Sequence, residues 1–236
     1  MKKELIDLID ASSSTAAFTG AGISTLSGIR DFRGKNGLYK DLDADRIFDL
    51  QTFLAEPDFF YRSTKDYLYS GVPIEPSLVH KELARLEKDG KLKGVVTQNI
   101  DRLHTAAGSR VVFELHGSAQ IHTCLGCSKE YPYDEILMRL QSDLHAPRCS
   151  CGGVIKPNIT FFGEGLPEAA FQGAQALLSK VDLLLVLGSS LVVQPAASLP
   201  AVTLRRGGKL VIVNDGATMY DDVAVLRLDS LEDAFE

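Results

Sequence analysis

The 236-residue sequence has no surplus of cations: 25 lysines and arginines stand against 31 aspartates and glutamates, a formal net charge of -6. A surface that neutralises many phosphates needs a clear excess of Lys and Arg, so direct nucleic acid binding is not expected. Long apolar runs are missing as well. The longest, centred on Leu183–Leu187, falls far short of the roughly 20 residues that span a bilayer, so no membrane partner is expected. A secretory h-region is also lacking, because Glu4, Asp7 and Asp10 interrupt the segment after Lys2 and Lys3. A cytoplasmic protein, by default a monomer, is the expectation. Cysteine is scarce, four in all, every one between Cys124 and Cys151. A secreted disulfide scaffold would be smaller and would spread its cysteines, so clustered pairs point to a metal. No internal repeat occurs. The length suits one full-sized core with a small appendage.

What is present reads as an α/β protein. Thr15–Thr19, Gly94–Thr97, Val111–Leu115, Asp182–Leu187 and Lys209–Val213 are near-continuous apolar runs, the pattern of parallel strands covered on both faces. Helical patterns lie between them at Leu78–Lys88, Glu168–Lys180 and Ala196–Arg206. Strand and helix in turn imply a Rossmann-like parallel sheet with right-handed crossovers. Two stretches break the rhythm, 34–71 and 121–155, and both read as insertions. The expected organisation is a Rossmann-like domain from 1–34, 72–120 and 156–236, with a smaller helical and zinc-ribbon domain from 35–71 and 121–155.

The residues after each strand carry the chemistry. Gly20-Ala21-Gly22-Ile23-Ser24 follows the first, Gln98-Asn99-Ile100-Asp101 the second, His116-Gly117 the third, Gly188-Ser189-Ser190 the fourth and Asn214-Asp215 the fifth. In an open parallel sheet the carboxyl ends line one edge, where ligands bind, so five polar tips converge. Gly20-Ala21-Gly22 resembles the start of a dinucleotide fingerprint, with glycines that let backbone N–H groups approach a pyrophosphate. Thr25 stands where the third glycine would be, and no strand precedes Asp41, Asp43 and Asp45, which disfavours an ordinary hydride-transfer dehydrogenase. An imidazole at a strand end can act as a base near neutral pH, or can simply cap a loop.

Cys124-Leu125-Gly126-Cys127 and Cys149-Ser150-Cys151 form two thiolate pairs. Four sulfurs complete a tetrahedral zinc shell with no open position, the mark of a structural site. His122 and His145 lie near enough in sequence to replace a sulfur.

In order, the motifs Gly20–Ser24, Ser27-Gly28-Ile29-Arg30-Asp31-Phe32-Arg33-Gly34, Thr97–Asp101, Leu115-His116-Gly117, the paired cysteines, Phe161-Phe162-Gly163-Glu164 and Gly188-Ser189-Ser190-Leu191 resemble the sirtuins over nearly the whole chain. The resemblance implies an NAD-dependent protein lysine deacylase, most simply a deacetylase, of the compact bacterial or archaeal type. Its cofactor-binding residues would be Gly20, Ala21, Gly22, Ser24, Thr25, Asp31, Phe32, Arg33, Gln98, Asn99, Ile100, Asp101, His116, Gly188, Ser189, Ser190, Asn214 and Asp215. The phosphates would lie by Ala21, Gly22 and Ser189, the adenosine by Asn214 and Asp215. Asp101 and the Ile100 backbone would hold the nicotinamide carboxamide, and Phe32 would shield the reacting carbon. The acyl oxygen of an acyl-lysine would attack the nicotinamide ribose and expel nicotinamide. His116 would then deprotonate a ribose hydroxyl, and Asn99 would order the ribose or a water. Thr160, Phe162, Gly163, Glu164 and Val193 would take the substrate as an extended strand, largely through backbone groups. Zinc would sit on Cys124, Cys127, Cys149 and Cys151.

Three positions depart from the family pattern. Arg30 stands where proline is usual, and Thr160 where an aliphatic residue is usual. Members that remove succinyl groups carry a Tyr and, three residues later, an Arg. Here Tyr61 is followed at that distance by Thr64, with Arg62 and Lys65 out of place, which favours a short neutral acyl group such as acetyl. Mono-ADP-ribosyl transfer and a non-catalytic NAD or ADP-ribose sensor are the alternatives. Intact Asn99, Asp101 and His116 speak against the sensor, since a binder needs no base.

Overall fold

The apolar runs become neighbours in one sheet. The computed structural model describes residues 1–31, 37 and 43–236. Its strands are β1 (Thr15–Thr19), β2 (Leu92–Thr97), β3 (Val112–Glu114), β4 (Gly117–Cys124), β5 (Glu130–Pro132), β6 (Ile155–Ile159), β7 (Leu183–Leu187), β8 (Lys209–Val213) and β9 (Leu226–Leu228). Six of them form a sheet in the order β3-β2-β1-β7-β8-β9, parallel throughout. Every residue of β1 and β7 is buried, because helices cover both faces. Ala17, Leu185 and Val211 pack on one side with Leu5, Ile9, Val79 and Leu83 from helices Lys3–Ala11 and Leu78–Lys88. Phe18, Leu184 and Ile212 pack on the other with Ala174 and Leu178 of helix Glu168–Leu178.

Strand order reverses at the β1/β7 pair. Connections leaving these two neighbours diverge to opposite faces, and a crevice opens beyond their carboxyl ends. Topology therefore puts Gly20 and Gly188, the first residues past β1 and β7, at the mouth of the natural binding site.

The second sheet is antiparallel, in the order β5-β4-β6. Beside it lies an aromatic core in which Phe53 meets Phe161 edge-on at 5.3 Å and Phe60 at 5.5 Å, with Phe48 5.9 Å from Phe161. Such edge contacts add about 0.5–1.5 kcal/mol each beyond burial. The chain crosses from the large sheet to the small one at His116-Gly117. Gly117 has φ +65°, and a Cβ there would lie 2.1 Å from the Asn158 carbonyl oxygen, so only glycine fits.

Some elements differ from the sequence expectation. The helix expected over Ala196–Arg206 is a 3-10 turn, Ala196–Ser198, followed by helix Pro200–Arg205, since Pro200 has no N–H and suits a helix start. Helix Lys3–Ala11, β9 and the strands of the small sheet were not foreseen. Among the described residues, no helix is long and apolar enough to cross a membrane.

Candidate active site

Three glycines interlock at the β1/β7 mouth. Gly20 N–H donates to Leu187 O at 3.0 Å and Gly22 N–H to Gly188 O at 2.9 Å. A Cβ on Gly20 would lie 2.7 Å from Gly188 O, and one on Gly22 2.7 Å from Gly188 Cα. Gly188 itself has φ +61°, and a Cβ would come within 2.6 Å of Ile23 N. Backbone packs on backbone, leaving a floor that a phosphate group can approach closely. Above it lies a cleft of ≈ 1110 Å³, slightly larger than the roughly 300–1,000 Å³ usual for small-molecule sites. Ser189 Oγ accepts from Gln98 Nε2 at 2.7 Å and from Leu191 N–H at 3.3 Å, which leaves its own proton to donate.

The tip of β2 is tied down behind this floor. Asn99 Nδ2 donates to Gly20 O and to Ser24 Oγ, both at 3.1 Å, so its two amide protons are spent and its carbonyl is the free end. Ser24 Oγ donates to Asp101 Oδ2 at 2.7 Å, and Asp101 Oδ1 accepts from Leu103 N–H at 2.9 Å. Asn99, Ser24 and Asp101 thus form one bonded chain. Asn99 reaches the cleft wall, while Ser24 and Asp101 stand behind it.

His116 lines the same cleft. Its Nδ1 lies 2.8 Å from the Gln98 carbonyl oxygen. A carbonyl only accepts, so Nδ1 carries the proton and Nε2 keeps its lone pair. Burial pushes the imidazole below the ordinary value of 6.5, and the Gln98 bond partly offsets this. The neutral form, a base, is the one held at neutral pH. The His116 carbonyl accepts from Thr160 N–H at 2.9 Å, joining the base to the next segment.

Residues 160–164 form a tight turn at the junction of the sheets. Phe162 N–H donates to Phe48 O at 2.7 Å, and Leu50 N–H to Phe162 O at 3.0 Å. Glu164 N–H is spent on Phe161 O at 3.0 Å, and Val193 O on Ala197 N–H at 2.9 Å. For a peptide strand, these two residues retain the Glu164 carbonyl and the Val193 N–H. Thr160 O and Gly163 N–H have no partner among the described residues.

The remaining site residues divide cleanly. Gly20, Ala21, Gly22, Thr25, Asp31, Gln98, Ile100, Thr160, Phe162, Gly163, Glu164, Gly188, Ser189, Ser190, Val193, Asn214 and Asp215 all border the cleft. Phe32 and Arg33 lie outside the described residues. Tyr61 and Thr64 are buried in the aromatic core, bonded to Ile155 O and Phe60 O, and do not line the cleft. Ser230 and Glu232 line it without having been foreseen. They follow β9, whose three-residue Leu-Arg-Leu core is too short to stand out as a strand.

The four cysteines gather apart from the cleft, with their sulfur atoms all within 4.8 Å of one another. Cys124 Sγ to Cys151 Sγ is 3.5 Å and Cys127 Sγ to Cys149 Sγ 3.6 Å. A zinc shell with bonds of about 2.3 Å has sulfur-to-sulfur edges of about 3.8 Å. The donor set fits the ion. Neither histidine substitutes: His122 Nε2 is bonded to Tyr69 OH at 2.7 Å and His145 Nδ1 to Asp58 at 2.8 Å. Hydrogen bonds from the Cys151 N–H and the Tyr131 hydroxyl lower the Cys149 thiol, while the neighbouring sulfurs raise Cys127, so the thiols give up their protons as one coupled group.

Comparison with known proteins agrees with this geometry. Residues 20–195 match the model of the Sir2 family. An NAD-dependent protein deacetylase of Thermotoga maritima is 49% identical over 226 residues, 95% of this chain and 91% of that one. A solved structure of a Sir2 H116A variant with deacetylated p53 peptide and 3′-O-acetyl ADP ribose superposes with a TM-score of 0.92 at 48% identity, covering 98% of this chain and 94% of the other. Another, bound to a propionylated peptide, has a TM-score of 0.88 at 45% identity, with coverage of 98% and 93%.

Proposed function

The chain belongs to the Sir2 family, and on that premise we propose that it is an NAD-dependent protein lysine deacylase, moving the acyl group from lysine to ADP-ribose with release of nicotinamide. One observation carries the assignment of chemistry: His116, with Nδ1 committed to Gln98 O, borders one cleft with Asn99 and the glycine floor.

When bound, NAD supplies an activated sugar carbon that the acyl oxygen can attack. The chain's own residues do the rest. The floor of Gly20, Gly22 and Gly188 would receive the pyrophosphate, with Ala21, Ser189 and Ser190 beside it and Asn214 and Asp215 toward the adenosine. The Ile100 backbone would hold the carboxamide, with Asp101, bonded to Ser24 behind the cleft wall, fixing that strand tip. Asn99 offers a carbonyl acceptor that orders a hydroxyl or water. His116 Nε2 would take a proton from a ribose hydroxyl, and general-base help of this kind contributes about 10²–10⁴-fold. A water-poor pocket favours acyl transfer over hydrolysis.

The free backbone groups of Thr160, Gly163, Glu164 and Val193 would bind an extended acyl-lysine peptide with little regard for its sequence. A short neutral acyl group is favoured, because Tyr61 and Thr64 are spent in the core and Arg62 and Lys65 do not border the cleft. The propionylated peptide bound by a relative is consistent with that preference. Zinc on Cys124, Cys127, Cys149 and Cys151 would be structural, its four protein ligands leaving no open position. We further infer a cytoplasmic monomer without direct nucleic acid binding, in keeping with unpaired thiols and a net charge of -6. The test is incubation of an acetyl-lysine peptide with and without NAD. Lysine should be freed only with NAD, and equal release in both arms would refute the assignment.

A further inference from the structure

Lys156 is a buried lysine at the root of the substrate turn, 6% exposed. Its ammonium has three protons and three oxygen partners: Ile159 O at 2.7 Å, Glu164 Oε2 at 2.9 Å and Pro157 O at 3.2 Å. It also stands 4.0 Å from the centre of the Phe161 ring. Glu164 Oε2 accepts a second bond, from Phe161 N–H at 2.8 Å. The Glu164 carboxylate, partly exposed, is thus committed within the turn, one of its oxygens joining Lys156 to the Phe161 backbone, while its backbone carbonyl stays available to a peptide.

From this geometry we propose that Lys156 and Glu164 are positioning residues for the acylated peptide, their ion pair holding the turn 160–164 in the shape that presents Thr160 O and Gly163 N–H to an incoming strand. The inference rests on the deacylase reading above. Three features support it. The partners of the ammonium lie at Ile159, just before the turn, and at Glu164, which closes it. Gly163 at φ +95° gives the turn a bend that backbone bonds alone hold weakly. Burying the Lys156 ammonium against a half-buried Glu164 carboxylate also seldom adds net stability over an apolar side chain of the same volume, so a geometric role accounts for charge here better than a stabilising one. The bonded partners of both side chains lie in β6 and the turn, and none is on the glycine floor, so the effect is expected on peptide and not on NAD.

The experiment uses the zinc-loaded full chain and a fluorescent acetyl-lysine peptide, with three variants: Lys156→Met, Lys156→Arg and the double Lys156→Met with Glu164→Gln. Peptide Kd by anisotropy, NAD Kd, zinc content and steady-state constants are measured for each. Lys156→Met is expected to weaken peptide binding about tenfold, with KM for peptide rising more than kcat falls and NAD affinity held. The double variant should recover part of the loss, because glutamine still accepts from Phe161 N–H and no carboxylate is left unpaired. Lys156→Arg should recover part as well. Wild-type peptide affinity in Lys156→Met would overturn the inference. So would parallel loss of peptide and NAD binding in all three variants, which marks a merely structural role. Wild-type protein that binds no acetyl-lysine peptide would overturn the deacylase reading too, whereas wild-type binding with unaffected variants overturns the positioning role alone.

Discussion

His116 Nδ1 and the Gln98 carbonyl oxygen lie 2.8 Å apart, and that single bond fixes which nitrogen of the imidazole faces chemistry. It also joins two strand tips, because Gln98 follows β2 and His116 follows β3.

Replacing His116 by Tyr removes the base while the Asn99–Ser24–Asp101 chain and the cysteine cluster stay in place. Deacylation is expected to fall by about 10²–10⁴-fold, with zinc content and NAD affinity largely kept; calorimetry and a peptide assay check this. For the wild type, the imidazole titrates below 6.5 because of burial. The acid limb of kcat/KM should therefore fall below pH 6.5, and a limb above it would mean that another group is the base.

Gly188→Ala puts a methyl group 2.6 Å from Ile23 N on a backbone at φ +61°. Left-handed backbone alone costs about 1–2 kcal/mol for a non-glycine residue, and the clash adds to it. Weaker NAD binding and a lower Tm are expected together. Gly28→Ala is the control for backbone strain, since a Cβ there meets nothing within 4 Å among the described residues despite φ +84°; it should lower Tm less.

Metal analysis should find one zinc per chain. Structural zinc contributes on the order of 10 kcal/mol to a small module at neutral pH, so chelation should loosen the β4–β6 sheet before the six-stranded sheet. Hydrogen exchange resolves the order. Gly153→Ala should weaken the site, because its Cβ would lie 2.7 Å from Cys124 Sγ.

Three other histidines shape stability. Burial lowers His80 to about 4, and His104 and His122 to about 3. Each stays neutral in the fold while the unfolded chain takes up protons below pH 6.5. The stability present above that pH is lost as the pH falls toward 4 and then 3. At pH 5 each imidazole costs about 2 kcal/mol. Tm measured against pH should drop in this window, and His104→Gln should flatten the drop.

Much of this was legible in the sequence. β1 and β8 run as read, and β2, β3 and β7 differ by two residues or fewer at their ends, because strands buried on both faces leave unbroken apolar runs. The strand tips were legible for the same reason. Strands carrying local signals too weak to read were missed: β9 is three residues long, and β4 mixes His122 and Thr123 with small residues around a metal module. Lys156 and Glu164 show a deeper limit. Nothing in Ile-Lys-Pro-Asn-Ile says that the lysine is buried, since its partner and the ring beneath it come from a turn whose path only the fold sets.

Mass spectrometry of the products from an acetylated peptide and NAD tests the central assignment most directly. Equal amounts of freed lysine peptide, nicotinamide and acetyl-ADP-ribose are expected, with formation of the freed peptide and acetyl-ADP-ribose falling by about 10²–10⁴-fold in His116→Tyr. ADP-ribose retained on protein, or free acetate with NAD intact, would contradict it.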